Sequence, residues 1–136
     1  MRKHNLPLTY KPKIPAVLEG RCTQTIRAGR KIRVRDLVSF HGWEGRPYSK
    51  WSFRMPYKEI HTVWNVKLFA GGIGFPEIQG IDYSPYMFRN WDLLDWLAKL
   101  DFIDPPTGEE LGNVLLSMHK IPLGGLPAQI IRWRYE

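Results

Sequence analysis

The sequence predicts an α+β fold: a single mixed β-barrel with flanking helices. Three observations predict it. Several short segments in the first half alternate apolar and polar residues at strand spacing. A short amphipathic helix, bracketed by Pro15 and Gly20, interrupts them early. After position 90, two capped helical segments precede one last alternating strand. With 136 residues, 43% hydrophobic and 13% aromatic, the chain is long enough for one well-buried core and too short for two ordinary domains, so 1–136 reads as one domain.

Taken in order, Leu6 to Lys13 reads as a first extended segment broken by prolines. Pro15 suits a first helical turn, Val17 and Leu18 supply apolar contact, and Gly20 takes the left-handed backbone that stops the helix. A strand follows in which Thr23, Thr25 and Arg27 share one face. It is expected beside the C-terminal strand or its neighbours. Lys31 to Phe40 reads as the next strand, with Lys31, Arg33 and Arg35 alternating with apolar residues. Gly42 to Ser49 forms a loop, Trp51 and Phe53 alternate with Lys50, Ser52 and Arg54, and Ile60 to Phe69 makes a further strand. The glycines of AGGIGF, Gly71, Gly72 and Gly74, suit a hairpin or barrel turn better than a phosphate loop, because no lysine-serine or lysine-threonine pair follows them.

Asn90 suits an N-cap, and Leu93, Leu97 and Leu100 line one helical face. Pro105 and Pro106 end that helix. Thr107 and Glu110 form a capping box for the next, whose buried stripe is Leu111, Val114, Leu115 and Met118. After the loop Pro122 to Pro127, Ile131, Trp133 and Tyr135 alternate with Arg132 and Arg134 in a half-buried strand.

The most informative stretch is Ile14 to Arg27, IPAVLEGRCTQTIR. Two hydroxyls and a guanidinium on one strand face, beside Arg21, suit phosphate, carboxylate or a nucleobase edge. Gly20 to Arg27 resembles the glycine-x-lysine-threonine-x-threonine-x-arginine signature of ASCH domains, relatives of the PUA RNA-binding domain. Lys31 to Phe40 resembles the family's following barrel strand. Phe88 to Leu100 is similar to its late helix, and Ala128 to Tyr135 to its closing strand. The resemblance implies a PUA-like barrel over most of the chain.

Two positions depart from that pattern. The signature lysine is Cys22, and the glycine of the family's glycine-aspartate turn is Arg35, before Asp36. Some bacterial members resemble amidohydrolases that deacetylate N4-acetylcytidine with the lysine, the second threonine and a later glutamate. Thr25 matches the threonine. Tyr86 falls near the glutamate, and the nearest carboxylate before the helix is Asp82. Were the chain an enzyme, Cys22, Thr25 and Asp82 would be its candidate set. Amide hydrolysis needs an activated nucleophile and a proton donor, so Cys22 in place of lysine predicts no useful turnover. As a small hydrophobe in a turn, with no histidine partner identified, Cys22 reads better as structural than as nucleophilic.

Charge is unevenly distributed. Up to Lys67, fifteen Lys and Arg stand against four Asp and Glu, a balance of +11; beyond it five stand against nine, −4, which together give the net +7. A basic half concentrates polyanions, so nucleic acid is the first partner to consider. Trp43, Tyr48, Trp51 and Tyr57 lie among Arg46, Lys50, Arg54 and Lys58, the interleaving of base stacking with phosphate contacts. Trp51 shares a strand face with Phe53, which suits the core, so the loop residues Trp43 and Tyr48 are the stacking candidates. One cysteine excludes an internal disulfide, four scattered histidines make no metal motif, and no cofactor is expected. The absence of a signal-peptide core or membrane-length apolar run predicts a soluble, cytoplasmic protein.

The sequence therefore predicts binding of RNA or a nucleotide-like ligand. Arg21, Thr23, Thr25 and Arg27 line a pocket, Lys50 and Arg54 hold phosphate, and Trp43 or Tyr48 stacks on a base. An amidohydrolase acting on an acylated nucleoside is the leading competitor, and a protein-interaction module for an acidic partner the third reading.

Overall fold

A computed structural model describes residues 2–29, 31–43, 51–69, 72–74, 91–122 and 124–134. Its elements are β1 (Lys3–Pro7), α1 (Lys13–Leu18), β2 (Gln24–Ala28), β3 (Leu37–Trp43), β4 (Trp51–Arg54), β5 (Lys58–Phe69), β6 (Gly72–Gly74), α2 (Trp91–Leu100), α3 (Gly108–Met118) and β7 (Leu126–Trp133). The fold is α+β. Its described strands form one seven-stranded mixed sheet in the order β1-β3-β5-β7-β2, with β4 on β3 and β6 on β5. Among the described strands only the β1–β3 pair is parallel. Among the described residues β1 and β2 end the path without pairing with each other, so hydrogen bonds between these strands do not close the sheet into a barrel. β2 lies against the C-terminal strand, Thr25 opposite Ile131.

Two apolar clusters lie on opposite sides of β7, because successive strand residues face opposite ways. Ile130 joins Val66, Leu68, Leu97, Leu111 and Leu115 beneath α2 and α3, whereas Ile131 joins Val17, Cys22, Ile32, Phe40 and Ile60 beneath α1. In the second cluster the Phe40 and Trp133 ring centroids are 4.9 Å apart.

α1 ends at Gly20 in the left-handed region, φ 79°. There Arg21 N–H donates to Ala16 O at 2.8 Å and Gly20 N–H to Val17 O at 3.2 Å, the paired bonds of a Schellman cap. α2 ends the same way at Phe102, φ 54°, with Ile103 N–H on Ala98 O at 3.0 Å and Phe102 N–H on Lys99 O at 3.3 Å. Thr107 caps α3 by accepting from Glu110 N–H at 3.2 Å, but the Glu110 carboxylate turns to Asn113 instead of completing a reciprocal box.

Two expectations shift. The first strand lies earlier than Leu6 to Lys13, and Lys13 is already helical, because Pro12 occupies the N-cap position and α1 starts behind it. The strand expected from Lys31 starts only at Leu37. Ile32 is buried there, but its backbone N–H and C=O pair with the Gln129 side-chain amide at 2.8 and 2.9 Å, a side chain doing what a neighbouring strand would. Arg35 then turns the chain at φ 75°.

Candidate active site

A cavity of about 110 Å³ opens where the chain leaving β1, strand β2, the end of α2 and helix α3 converge. Leu8, Ile103, Leu111 and Leu115 form apolar wall, and Lys13, Thr25, Arg27, Asp101 and His119 supply polar groups. Its volume exceeds the roughly 30 Å³ share of one water several-fold and suits a small acyl or amide group.

Lys13 is the pivot. It stands three and four residues before Ala16 and Val17, so the face of α1 that packs inward carries an ammonium at its start. Only 4% of Lys13 is exposed. Its Nζ donates to Asp101 Oδ1 at 2.7 Å and to Thr25 Oγ1 at 3.0 Å. Asp101 is placed by the Schellman turn after α2, with its N–H on Leu97 O at 2.9 Å. Burial pushes the Asp101 carboxyl above its usual range, against the pull of Lys13 and Arg27. Thr25, 3% exposed, comes from the centre of the motif strand. Burial, with Arg27 nearby, holds the His119 imidazole below its ordinary value and keeps it neutral at pH 7.

The cluster is costly to bury. A desolvated lysine–aspartate pair contributes little net stability compared with apolar side chains of the same volume. Perturbed ionisable groups at a cavity wall mark candidate functional sites. An ammonium, a hydroxyl and a carboxyl in hydrogen-bond contact can relay a proton, and Arg27 can balance negative charge that develops beside them.

The structure divides the residues expected to act together. Thr25 and Arg27 line the cavity. Thr23 is half-buried, and its carbonyl accepts from Trp133 N–H at 3.1 Å. Arg21 turns outward to Glu19 at 2.8 Å, with its guanidinium 5.5 Å from the centre of the Phe102 ring. Arg54 is exposed on β4, beside Asn5 and the Tyr57 ring. Trp43 ends β3, and its side chain, like Tyr48, Lys50 and Asp82, lies outside the described residues. Cys22 is fully buried, with its thiol directed at Gln24 O (3.3 Å) and Leu100 O (3.6 Å), and burial pushes the thiol pKa up, which disfavours the thiolate.

Lys13 and Asp101 escaped the sequence reading. A signal existed for each: Lys13 shares a helical face with Ala16 and Val17, and Asp101 follows Ala98 by three and Leu97 by four. A charged residue in phase with buried positions is the pattern that finds them. Among the described residues, no group of three or more His, Cys, Asp or Glu could hold a metal ion, and no helix is long and apolar enough to cross a membrane. Compared with models of protein families, with curated proteins and with solved structures, the chain finds no match.

Proposed function

We propose that the protein is a small amidohydrolase acting on an acylated nucleoside such as N4-acetylcytidine, with Lys13, Thr25 and Asp101 as its reacting set. The observation that carries this reading is the Lys13 ammonium, 3.0 Å from the Thr25 hydroxyl and 2.7 Å from the Asp101 carboxylate, at a cavity of acyl-group size. Cys22 in the motif's lysine position argued against hydrolysis. Lys13, reaching the second threonine from α1, removes that objection, and Asp101 provides a carboxylate that does not depend on Asp82.

The chemistry balances with these groups alone. Transfer of an ammonium proton to Asp101 leaves a neutral amine beside Thr25 Oγ1. That amine takes the hydroxyl proton as Oγ bonds to the acyl carbon, and returns it to the departing amine nitrogen as the carbon–nitrogen bond breaks. Water then attacks the threonyl ester, giving the free acid and restoring the hydroxyl. Arg27 offsets charge on the carbonyl oxygen in both steps. This reading takes the motif strand as part of a PUA-like barrel, and the Gly20 to Arg27 resemblance to ASCH domains supports it.

A second reading, binding of RNA or a nucleotide-like ligand without chemistry, is favoured by Arg27 at the cavity and by the basic first half. Chromatographic assay of N4-acetylcytidine separates the two. Release of cytidine and acetate, abolished by Thr25→Val in a folded protein, supports the hydrolase. Saturable nucleoside binding with no product supports the second reading.

A further inference from the structure

We propose that a separate shallow groove, at the starts of β3 and β5 and the end of β7, binds the phosphodiester backbone of single-stranded nucleic acid. It has a volume of about 520 Å³ and shares no residue with the Lys13 cavity. Arg35, Lys58, His61 and Arg134 line it, with Glu59 the one carboxylate among the described lining residues. The two arginines and the lysine outnumber that carboxylate.

The conformation of Arg35 points to a ligand. Its φ of 75° lies where glycine is at ease and a side chain is strained. The turn is nonetheless held firmly: Asp36 Oδ2 accepts from Arg33 N–H at 3.0 Å, and Arg35 N–H donates to Ile60 O at 2.7 Å. A strained arginine retained in a pinned turn is a reason to look for what its side chain does. Here it adds a guanidinium to a groove that Arg134 enters from the last strand.

The chemistry favours a strand over a single small ion. Guanidinium forks match phosphate oxygens, and several cations along one groove suit successive charges. Val34, 53% exposed, gives the groove an apolar wall for a sugar or base. Lys3 and Arg54 extend the positive field on the neighbouring Tyr57, at 5.3 and 6.0 Å from its ring centre. This inference rests on the groove alone and is independent of hydrolysis in the cavity.

The test is fluorescence anisotropy with labelled oligouridylate and oligodeoxythymidylate at several salt concentrations. The wild type should bind at low salt and weaken as salt rises. Arg35→Gly combined with Arg134→Gln should cut low-salt affinity about tenfold or more and flatten the log–log salt slope by about 1.4, at roughly 0.7 per lost contact. Arg35→Gly alone should weaken binding while leaving Tm unchanged or higher, which separates lost contact from lost folding. Binding of either oligonucleotide that the double variant weakens supports the proposal, and a preference between them identifies the sugar. No binding at low salt, equal binding by wild type and double variant, or equal competition by a polyglutamate peptide would overturn it.

Discussion

Lys13 Nζ donates to Thr25 Oγ1 over 3.0 Å, joining the first residue of α1 to the strand at the centre of the motif. One bond therefore couples a local helix start to the sheet edge, and the same ammonium reaches Asp101 after α2. Three segments distant in sequence meet through a single side chain.

The hydroxyl is the first group to test. Thr25→Val keeps the β-branched shape and removes the oxygen, so the strand should persist while N4-acetylcytidine turnover is abolished, because the group that bonds to the acyl carbon is gone. Thr25→Ser should retain a substantial part of the activity. Steady-state kinetics on both variants checks this, and full activity in Thr25→Val would exclude threonine as the nucleophile.

Gln129 should matter for stability, not chemistry. Its amide satisfies both backbone groups of buried Ile32 and also donates to Asn65 Oδ1 at 3.1 Å. Gln129→Leu leaves the Ile32 N–H and C=O without these partners, at a cost of about 2–4 kcal/mol for two buried groups. A lowered urea midpoint with an unchanged m-value is the expected result.

Gln129 also shows where sequence reading stops. The alternation from Lys31 to Arg35 has strand period, but the partner of Ile32 is a side chain nearly a hundred residues away, which period cannot reveal. Local chemistry was more legible. Gly20 as a left-handed helix stop and Thr107 as a cap depend on a few adjacent residues, and both are present. The placement of β2 against the last strand was also expected and is found. In the candidate site, Thr25 and Arg27 were legible from their shared strand face, whereas Lys13 and Asp101 become neighbours only when α1 and α2 dock. Neither was among the expected site residues, because burial of a paired charge is a tertiary event.

Acid stability should depend on Asp36. Burial alone would raise its carboxyl, but His4 Nε2 at 2.9 Å and the N–H groups of Arg2 and Arg33 at 3.1 and 3.0 Å hold its pKa down to about 2, from 3.8. The unfolded chain then binds the proton more readily, so this stabilisation is complete above 3.8 and lost as pH falls through about 2. His41 and His119, both depressed first by burial, add losses of the same sign below about 6.5. Asp101, raised by burial, has the opposite sign: its contribution is present at low pH and lost as pH rises through its folded value. Asp36→Asn should flatten the lowest-pH part of a Tm–pH curve and leave the histidine part in place. An unaltered acid limb would assign that loss to other carboxylates.

The Lys13–Asp101 pair offers the sharpest separation of function from stability. Lys13→Met leaves Asp101 buried without its ammonium, and Asp101→Leu leaves Lys13 buried without its carboxylate, so each single change should cost about 3–5 kcal/mol. Together the two changes remove both charges and restore apolar packing, so the double variant should return to within about 1–2 kcal/mol of wild type or exceed it. Turnover should stay lost in all three variants, because the relay beside Thr25 is gone in each. Urea unfolding and N4-acetylcytidine hydrolysis on the same four proteins test both halves. A stable double variant without activity would show that the pair is retained for chemistry, whereas a double variant as unstable as the sum of the singles would make the pair part of the architecture.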